Sequence, residues 1–268
     1  MDLRDKNVVL TGAAGGIGRL LAASLAGQGA NMALVDANED ALKEVAAGIK
    51  HSKVIAGDLS SAEGCLAVAD AAKKALGKVD VLINLAGLMS FRCFEEEDLE
   101  VMERIIGVNL LGAMRLTRHL LPGMLERNQG RIINVGSVFG SIGFAYFTAY
   151  SASKFGLRGF SEALRRELHD TPIKVMYLAP RAVKTPLNTG RIMRMGAATK
   201  MNMDTPELVV EKILQAIQVA HRRVAPEGYA QAESVAQRHH DNQATWRIIR
   251  WHAACASDYA GRADAPLP

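Results

Sequence analysis

The feature that most restricts how this chain can fold is an alternation. Six short β-branched or aliphatic runs recur: "NVVL" from Asn7, "NMALV" from Asn31, "KVIA" from Lys53, "VDVLIN" from Val79, "RIINV" from Arg131 and "IKVMYL" from Ile173. Segments with helical spacing of apolar residues separate them. Strands that are apolar at nearly every position are buried on both faces, which is the condition of a parallel sheet covered by helices on each side. The pattern predicts a single α/β domain with a doubly wound parallel sheet over residues 1–225. Within it, residues 185–206 form a Met-, Gly- and Thr-rich loop ahead of a helix opening near Pro206, a length that suits a functional or moving segment. Beyond residue 225 the rhythm stops. Residues 226–268 read as an atypical extension, helical or disordered, with Trp246, Ile249 and Ala253 on one helical stripe.

Composition narrows the function. The 268 residues are 49% apolar, enough for one large core. Lys and Arg total 32 against 28 acidic residues, and the two signs are interleaved, so no nucleic-acid partner is expected. Cys65, Cys93 and Cys255 have no ligand partners at metal-site spacing, which predicts reduced thiols, no metal and a cytoplasmic location. The start "MDLRDK" lacks the apolar core of a signal peptide, and no run approaches the roughly 18 apolar residues of a membrane span, so no stable membrane insertion is expected. The histidines, His239 and His240 included, match no ligand spacing and receive no role.

The first loop carries chemistry. "VVLTGAAGGIG" leads from a strand through Thr11, Gly12, Gly16 and Gly18 into a helix. Glycines there permit a tight turn and close approach of a pyrophosphate, and the helix N-terminus offers N–H groups to the anion. The second strand ends at Asp36, where a carboxylate accepts hydrogen bonds from a ribose 2′-hydroxyl and repels a 2′-phosphate. Ala37 and Asn38 supply no neutralising arginine, so NAD is expected over NADP. The competing reading is that Asp36 caps the following helix.

A second cluster lies in "SVFGSIGFAYFTAYSASK", Ser137 to Lys154. A phenol ionises near pH ~10, so one that exchanges protons at neutral pH needs a cation beside it. Lys154 stands four residues after Tyr150, on the same helical face. Tyr146 has no cation at that spacing and is expected to pack or to line a pocket. A snorkelling lysine on an amphipathic helix is the alternative for Lys154.

These motifs together resemble the short-chain dehydrogenase/reductases. "TGAAGGIG" is similar to the TGxxxGIG signature of that family, "NLAG" to its NNAG turn, and Tyr150 and Lys154 to its Tyr-x-x-x-Lys pair; the likeness runs from Lys6 to Thr185. It implies a Rossmann-type fold in which Thr11, Gly12, Gly16, Ile17, Gly18, Asp36, Asp58, Leu59, Asn84, Ala86, Gly87, Tyr150, Lys154, Pro180 and Thr185 bind NAD. It also implies that Asn109, Ser137, Tyr150 and Lys154 are catalytic. By that likeness a secondary alcohol and a ketone are interconverted: Tyr150 exchanges the hydroxyl proton, Ser137 bonds the same oxygen, Lys154 lowers the phenol pKa, and Asn109 holds a water in the proton path. Two positions depart from the family pattern: Leu85 replaces an asparagine and Arg181 a glycine.

By the same analogy the substrate meets Met89, Phe91, Phe139 to Phe147 and Leu187 to Met203. These apolar residues fit a bulky, lipid-like or polycyclic alcohol or ketone, the alternative being that they pack on one another. Helices bearing Asn109 and Tyr150 would join subunits into a homodimer or homotetramer. A reading of another class is a weakly active NAD(H)-binding sensor or scaffold, suggested by Leu85 and Arg181. The acidic run Glu95 to Asp98 reads as a first helical turn stabilised by the helix dipole.

Overall fold

The computed structural model describes residues 2–188, 190–198 and 200–219. The expectations for residues 226–268, including Trp246, Ile249, Ala253, His239, His240 and Cys255, lie outside these described residues.

The six apolar runs become six strands: β1 (Asn7–Thr11), β2 (Asn31–Asp36), β3 (Ser52–Ala56), β4 (Val81–Asn84), β5 (Arg131–Val135) and β6 (Lys174–Leu178). They form one sheet in the order β3-β2-β1-β4-β5-β6, and every pairing is parallel. This is the Rossmann-type doubly wound sheet, in which the order reverses between β1 and β4 and opens a crevice at the carboxyl ends of those strands.

Alternation of side chains divides the strands between two cores. Val8, Leu10, Met32, Leu34, Val81, Ile83, Ile133 and Val135 face one side. There they pack with Leu21, Ala22 and Leu25 of α1 (Gly16–Gly27), Leu42 of α2 (Glu39–Ala47) and Val209, Val210, Ile213 and Ile217 of α8 (Pro206–Val219). Val9, Ala33, Val35, Leu82 and Ile132 face the other. That face is covered by Cys65, Val68, Ala69 and Ala72 of α3 (Ala62–Leu76), by Leu116, Leu120 and Met124 of α5 (Ala113–Glu126) and by Leu164 of α6 (Thr148–Glu167). Because both faces are covered, the strands carry no polar alternation.

Three local details differ from the sequence reading. Phe94–Glu96 is a single 3₁₀ turn, and α4 starts later, at Leu99–Ile106, with the Asp98 carboxylate accepting from Glu100 N–H at 2.9 Å. Asp98 is thus the cap, and the other acids precede the helix. Residues Gly107–Gly112 then form a π-helical turn; its two end glycines lie against backbone, a Cβ on Gly112 meeting Leu59 O at 2.8 Å. Nothing in the stretch "GVNLLG" marks such a turn beforehand.

The third difference is a helix in the substrate loop. Residues Asn188–Asn202 belong to a unit separate from the one formed by Met1–Leu187 and Met203–Val224. They contain α7 (Gly190–Ala198), with Ile192 and Met195 buried three residues apart and Met201 N–H closing on Gly196 O at 2.8 Å. Two glycines in nine residues disguise it, since glycine is a poor helix former. The loop's ends are joined: Val183 and Asp204 form a parallel bridge, with Lys184 N–H donating to Asp204 O and Asp204 N–H to Ala182 O.

Candidate active site

The glycine loop leaves β1 at the sheet's reversal point. Gly12 takes φ +69°, and a Cβ on it would fall 2.8 Å from Ala86 Cα. A Cβ on Gly18 would fall 2.0 Å from the Gly12 carbonyl oxygen, so only glycine lets α1 start this close to the strand. The N-cap of α1 is Gly15, which makes no side-chain cap bond, and the first turn carries no acid. Its N–H groups are therefore suited to an anion, as a pyrophosphate cradle requires. Ile17 is half-buried and packs into the α1 core. A Cβ on Gly16 would sit 3.2 Å from Thr185 Cβ, so Thr185 lies against this first turn.

Asp36 is turned back onto the same loop. Its carboxylate accepts from Ala14 N–H at 3.0 Å and from Asn38 N–H at 3.1 Å. The helix cap is Asn38, which accepts from Ala41 N–H at 3.0 Å. The capping alternative for Asp36 is thereby excluded, and its carboxylate stands at the mouth of the glycine loop.

Several residues expected to touch a cofactor also hold the segments around the glycine loop in place. Thr11 is buried; its hydroxyl oxygen accepts from Leu85 N–H at 3.0 Å and Ala86 N–H at 3.1 Å, locking the "NLAG" turn to the end of β1. That lock explains why leucine is accommodated at residue 85: the turn is held through backbone N–H groups, and the Leu85 side chain packs against the core. Asn84 is also buried, and its amide donates to Asn134 Oδ1 at 2.8 Å, while Asn134 donates to Ser161 Oγ at 2.8 Å. Thr11 and Asn84 thus hold the turn and the strand end that were expected to meet a nucleotide, and Asn84 Oδ1 has no hydrogen-bond partner among the described residues. Asp58 is exposed and receives both N–H and O–H of Ser60, at 2.9 and 2.7 Å, which hold its carboxyl below its ordinary value. Leu59 is buried beside it, and Pro180 accepts from Val138 N–H at 3.0 Å.

The four proposed catalytic side chains converge above β5. Ser137 follows the strand in extended conformation, its hydroxyl oxygen accepts from Phe139 N–H at 3.2 Å, and its side chain pulls the Tyr150 phenol downward. Lys154 is 3% exposed; its ammonium donates to Val135 O at 3.1 Å and lies 5.6 Å from the centre of the Tyr150 ring. A Cβ on Gly87 would fall 3.6 Å from Lys154 Nζ and 3.5 Å from Asn109 Oδ1, so Gly87 leaves space where the lysine and asparagine meet the "NLAG" turn. Asn109, in the π turn, accepts from Leu88 N–H at 2.7 Å and donates to Leu88 O at 2.9 Å and Ser153 Oγ at 3.0 Å. Both amide protons are thus committed to protein, and the side chain clasps β4's turn to α6. Ser153, which sequence reasoning missed, also donates to Tyr150 O at 2.7 Å. Its signal was its position one residue before Lys154.

Burial dominates the electrostatics. The Tyr150 ring keeps some solvent exposure, but its surroundings push the phenol above its ordinary value of 10, with the Ser137 hydrogen bond pulling the other way. Burial lowers Lys154 to about 8. The expectation of a phenol lowered by Lys154 therefore gives way here to desolvation, which disfavours charge on both groups.

Arg181 adopts no left-handed backbone conformation. Its guanidinium extends outward to form paired bonds with Asp204, at 3.2 and 2.5 Å. An arginine is tolerated at this point because it needs only ordinary dihedrals, and it reinforces the closure of the substrate loop.

On the substrate side, Phe139 stacks on Phe144 at 5.1 Å and meets Tyr150 edge-on at 6.2 Å, while Phe91 contacts both Tyr146 and Phe147. Phe147 is 2% exposed and is core. Tyr146 takes φ +70°, packs on Phe91, and its carbonyl accepts from Arg92 N–H. The two tyrosines thus separate as expected: Tyr150 faces serine and lysine, and Tyr146 packs. Among the described residues no cluster of metal ligands exists and no helix is long and apolar enough to cross a membrane.

Comparison with known proteins agrees with this geometry. Residues 6–195 match the short chain dehydrogenase family, and the chain belongs to it. The chain is 35% identical over 221 residues to a ketoacyl reductase, HetN, of Nostoc sp., covering 80% of this chain and 76% of that protein. It is 34% identical over 196 residues to 3-ketodihydrosphingosine reductase of Bos taurus, covering 69% and 58%. Among solved structures, a 3-ketoacyl-(acyl-carrier-protein) reductase from Brucella melitensis complexed with NADH superposes with a TM-score of 0.74 at 30% identity, covering 80% of this chain and 90% of that one. The chain is an oxidoreductase that uses a nicotinamide cofactor.

Proposed function

We propose that the protein is an NAD-dependent oxidoreductase that interconverts a secondary alcohol and a ketone on a bulky apolar substrate, with Tyr150 as general acid and base. The observation that carries this reading is the Ser137–Tyr150–Lys154 constellation beside the glycine loop. A bound nicotinamide supplies or accepts the hydride. The uncapped first turn of α1 would hold its pyrophosphate, Asp36 the adenosine ribose, and Lys154 with Thr185 the nicotinamide end. Tyr150 gives its phenolic proton to the carbonyl oxygen in reduction and takes the hydroxyl proton in oxidation. Ser137 donates a hydrogen bond to that oxygen as charge develops on it.

Support for an apolar substrate comes from Phe139, which meets Tyr150 edge-on and stacks on Phe144, and from relatives named as reductases of ketoacyl and ketodihydrosphingosine compounds. The departures at Leu85 and Arg181 are accommodated within the fold, since Thr11 secures the turn around Leu85 and Asp204 pairs with Arg181. The buried, free Cys65 thiol suits a reducing, cytoplasmic setting.

NAD is preferred on the strength of Asp36. Titration of the full chain with NADH and NADPH is expected to give at least ~10-fold tighter binding of NADH, a gap that Asp36→Asn narrows. NADPH binding as tightly as NADH would reject the preference. The enzyme assay is a panel of long-chain 3-ketoacyl thioesters and apolar secondary alcohols; no turnover of any member with either cofactor would reject the proposed reaction.

Self-association is proposed through the outer side of α4 and α6. An apolar groove lined by Phe94, Met102, Ile106, Leu111, Ala149 and Ala152 lies there, with Leu99 69% and Phe155 44% exposed. A face of this kind, in a helix pair whose inner sides carry Asn109 and Tyr150, fits a second copy of the chain. Light scattering is expected to show a dimer or tetramer that Phe155→Asp shifts toward monomer. A monomer at micromolar concentration would count against it.

A further inference from the structure

A residue outside the four proposed catalytic ones sits beneath them. Tyr177, in the aliphatic strand β6, is buried, and its hydroxyl lies at the junction of β5 and α6. The hydroxyl oxygen accepts from Ser137 N–H at 3.4 Å. Its proton is directed at two carbonyl oxygens, Ser137 O at 3.3 Å and Lys154 O at 3.5 Å. One phenol therefore reaches the backbone of both residues whose side chains flank Tyr150.

The surroundings are shaped for this ring. A Cβ on Gly136 would lie 2.2 Å from the Tyr177 ring and hydroxyl, and a Cβ on Gly140 would lie 2.2 Å from the same hydroxyl. Real Cβ atoms do not approach this closely, so the two glycines on either side of Ser137 keep the space that the phenol fills. The backbone ladder between β5 and β6 continues through Gly136 N–H to Leu178 O and Val138 N–H to Pro180 O. Ser137 lies between these rungs, and Tyr177 supplies its contact from β6.

We propose that Tyr177 is a positioning residue: its hydroxyl fixes the Ser137 peptide and the Lys154 turn of α6 so that the Ser137 hydroxyl is aimed at Tyr150. The inference deepens the proposed reaction and rests on it for catalytic meaning. Burial pushes the Tyr177 phenol up to about 12, so it remains a proton donor throughout the working range. The groups that face it electrostatically are Arg158 and Glu162 of α6, which oppose each other, and Tyr150.

The test reads Tyr150 directly and needs no substrate. The full chain is labelled at tyrosine Cζ with carbon-13, and the Tyr150 resonance, assigned through Tyr150→Phe, is titrated with pH in wild type, Tyr177→Phe, Ser137→Ala and the double variant. Because a Ser137 hydroxyl aimed at Tyr150 favours the phenolate, Tyr177→Phe is expected to raise the Tyr150 titration midpoint by about half a unit or more. In the Ser137→Ala background Tyr177→Phe is expected to add nothing, the signature of two residues acting through one contact. An unchanged Tyr150 midpoint in Tyr177→Phe overturns the proposal. So does a shift of equal size in the Ser137→Ala background, which would place the effect outside Ser137. A Tyr177→Phe chain without a cooperative thermal transition also overturns it, since the hydroxyl would then support the fold. Gly136→Ala, which crowds the ring from the opposite side, is expected to shift Tyr150 in the same direction; no shift in a folded Gly136→Ala protein counts against the role. Absence of turnover in wild type would defeat the proposed reaction alone and leave these titrations interpretable.

Discussion

Tyr150→Phe is expected to lower turnover by about 10²- to 10⁴-fold while leaving NADH binding nearly unchanged. The range is that of losing a positioned general acid or base. Phenylalanine keeps the ring against Phe139, so the aromatic wall and the seat of Lys154 survive. Only the exchangeable proton goes. Absorbance of reduced nicotinamide over a panel of ketones and alcohols, with NADH titrated separately by fluorescence, checks both halves. Turnover within a fewfold of wild type would remove Tyr150 from the mechanism.

Lys154→Met carries the second large effect, on stability as well as turnover. An unfolded lysine ionises at 10.5 and the folded one at about 8. Between these values the unfolded chain binds a proton that the folded chain does not. The cost of burying the charge is therefore fully present below pH 8 and fades as pH rises to 10.5, and the shift corresponds to about 3 kcal/mol. Methionine removes the charge and leaves Val135 O without its 3.1 Å donor, which offsets part of the gain. Thermal melts at pH 7 are expected to show a net stabilisation of about 1–3 kcal/mol that shrinks at pH 10, alongside loss of turnover. A variant less stable than wild type at pH 7 would show that the ammonium supports the fold.

The fold was readable because burial on both faces leaves no choice of residue: "NVVL" and "RIINV" are apolar on successive positions, and each became a central strand. Glycines 12 and 18 were readable for a related reason, since backbone proximity admits nothing larger. Spacing also separated Tyr150 from Tyr146. What stayed hidden depended on contacts distant in the chain. The bonds of Thr11 and Asn84 to Leu85, Ala86 and Asn134 were not readable, because only the sheet brings these residues together. The same holds for Asn109, whose bonds to Leu88 and Ser153 arise where the π turn meets α6. The direction of the Tyr150 and Lys154 shifts was also beyond spacing alone, which reveals that a cation is near but says nothing of how dry the site is.

The bridge between Val183 and Asp204, with Arg181 fastened across it, makes the intervening residues a closed excursion from the sheet. Its start and finish are stitched together by a bridge, two backbone hydrogen bonds and an ion pair. Residues 185–203 amount to an exchangeable cassette, and grafting the corresponding stretch from a relative onto this base offers a route to new substrate preferences without rebuilding the scaffold.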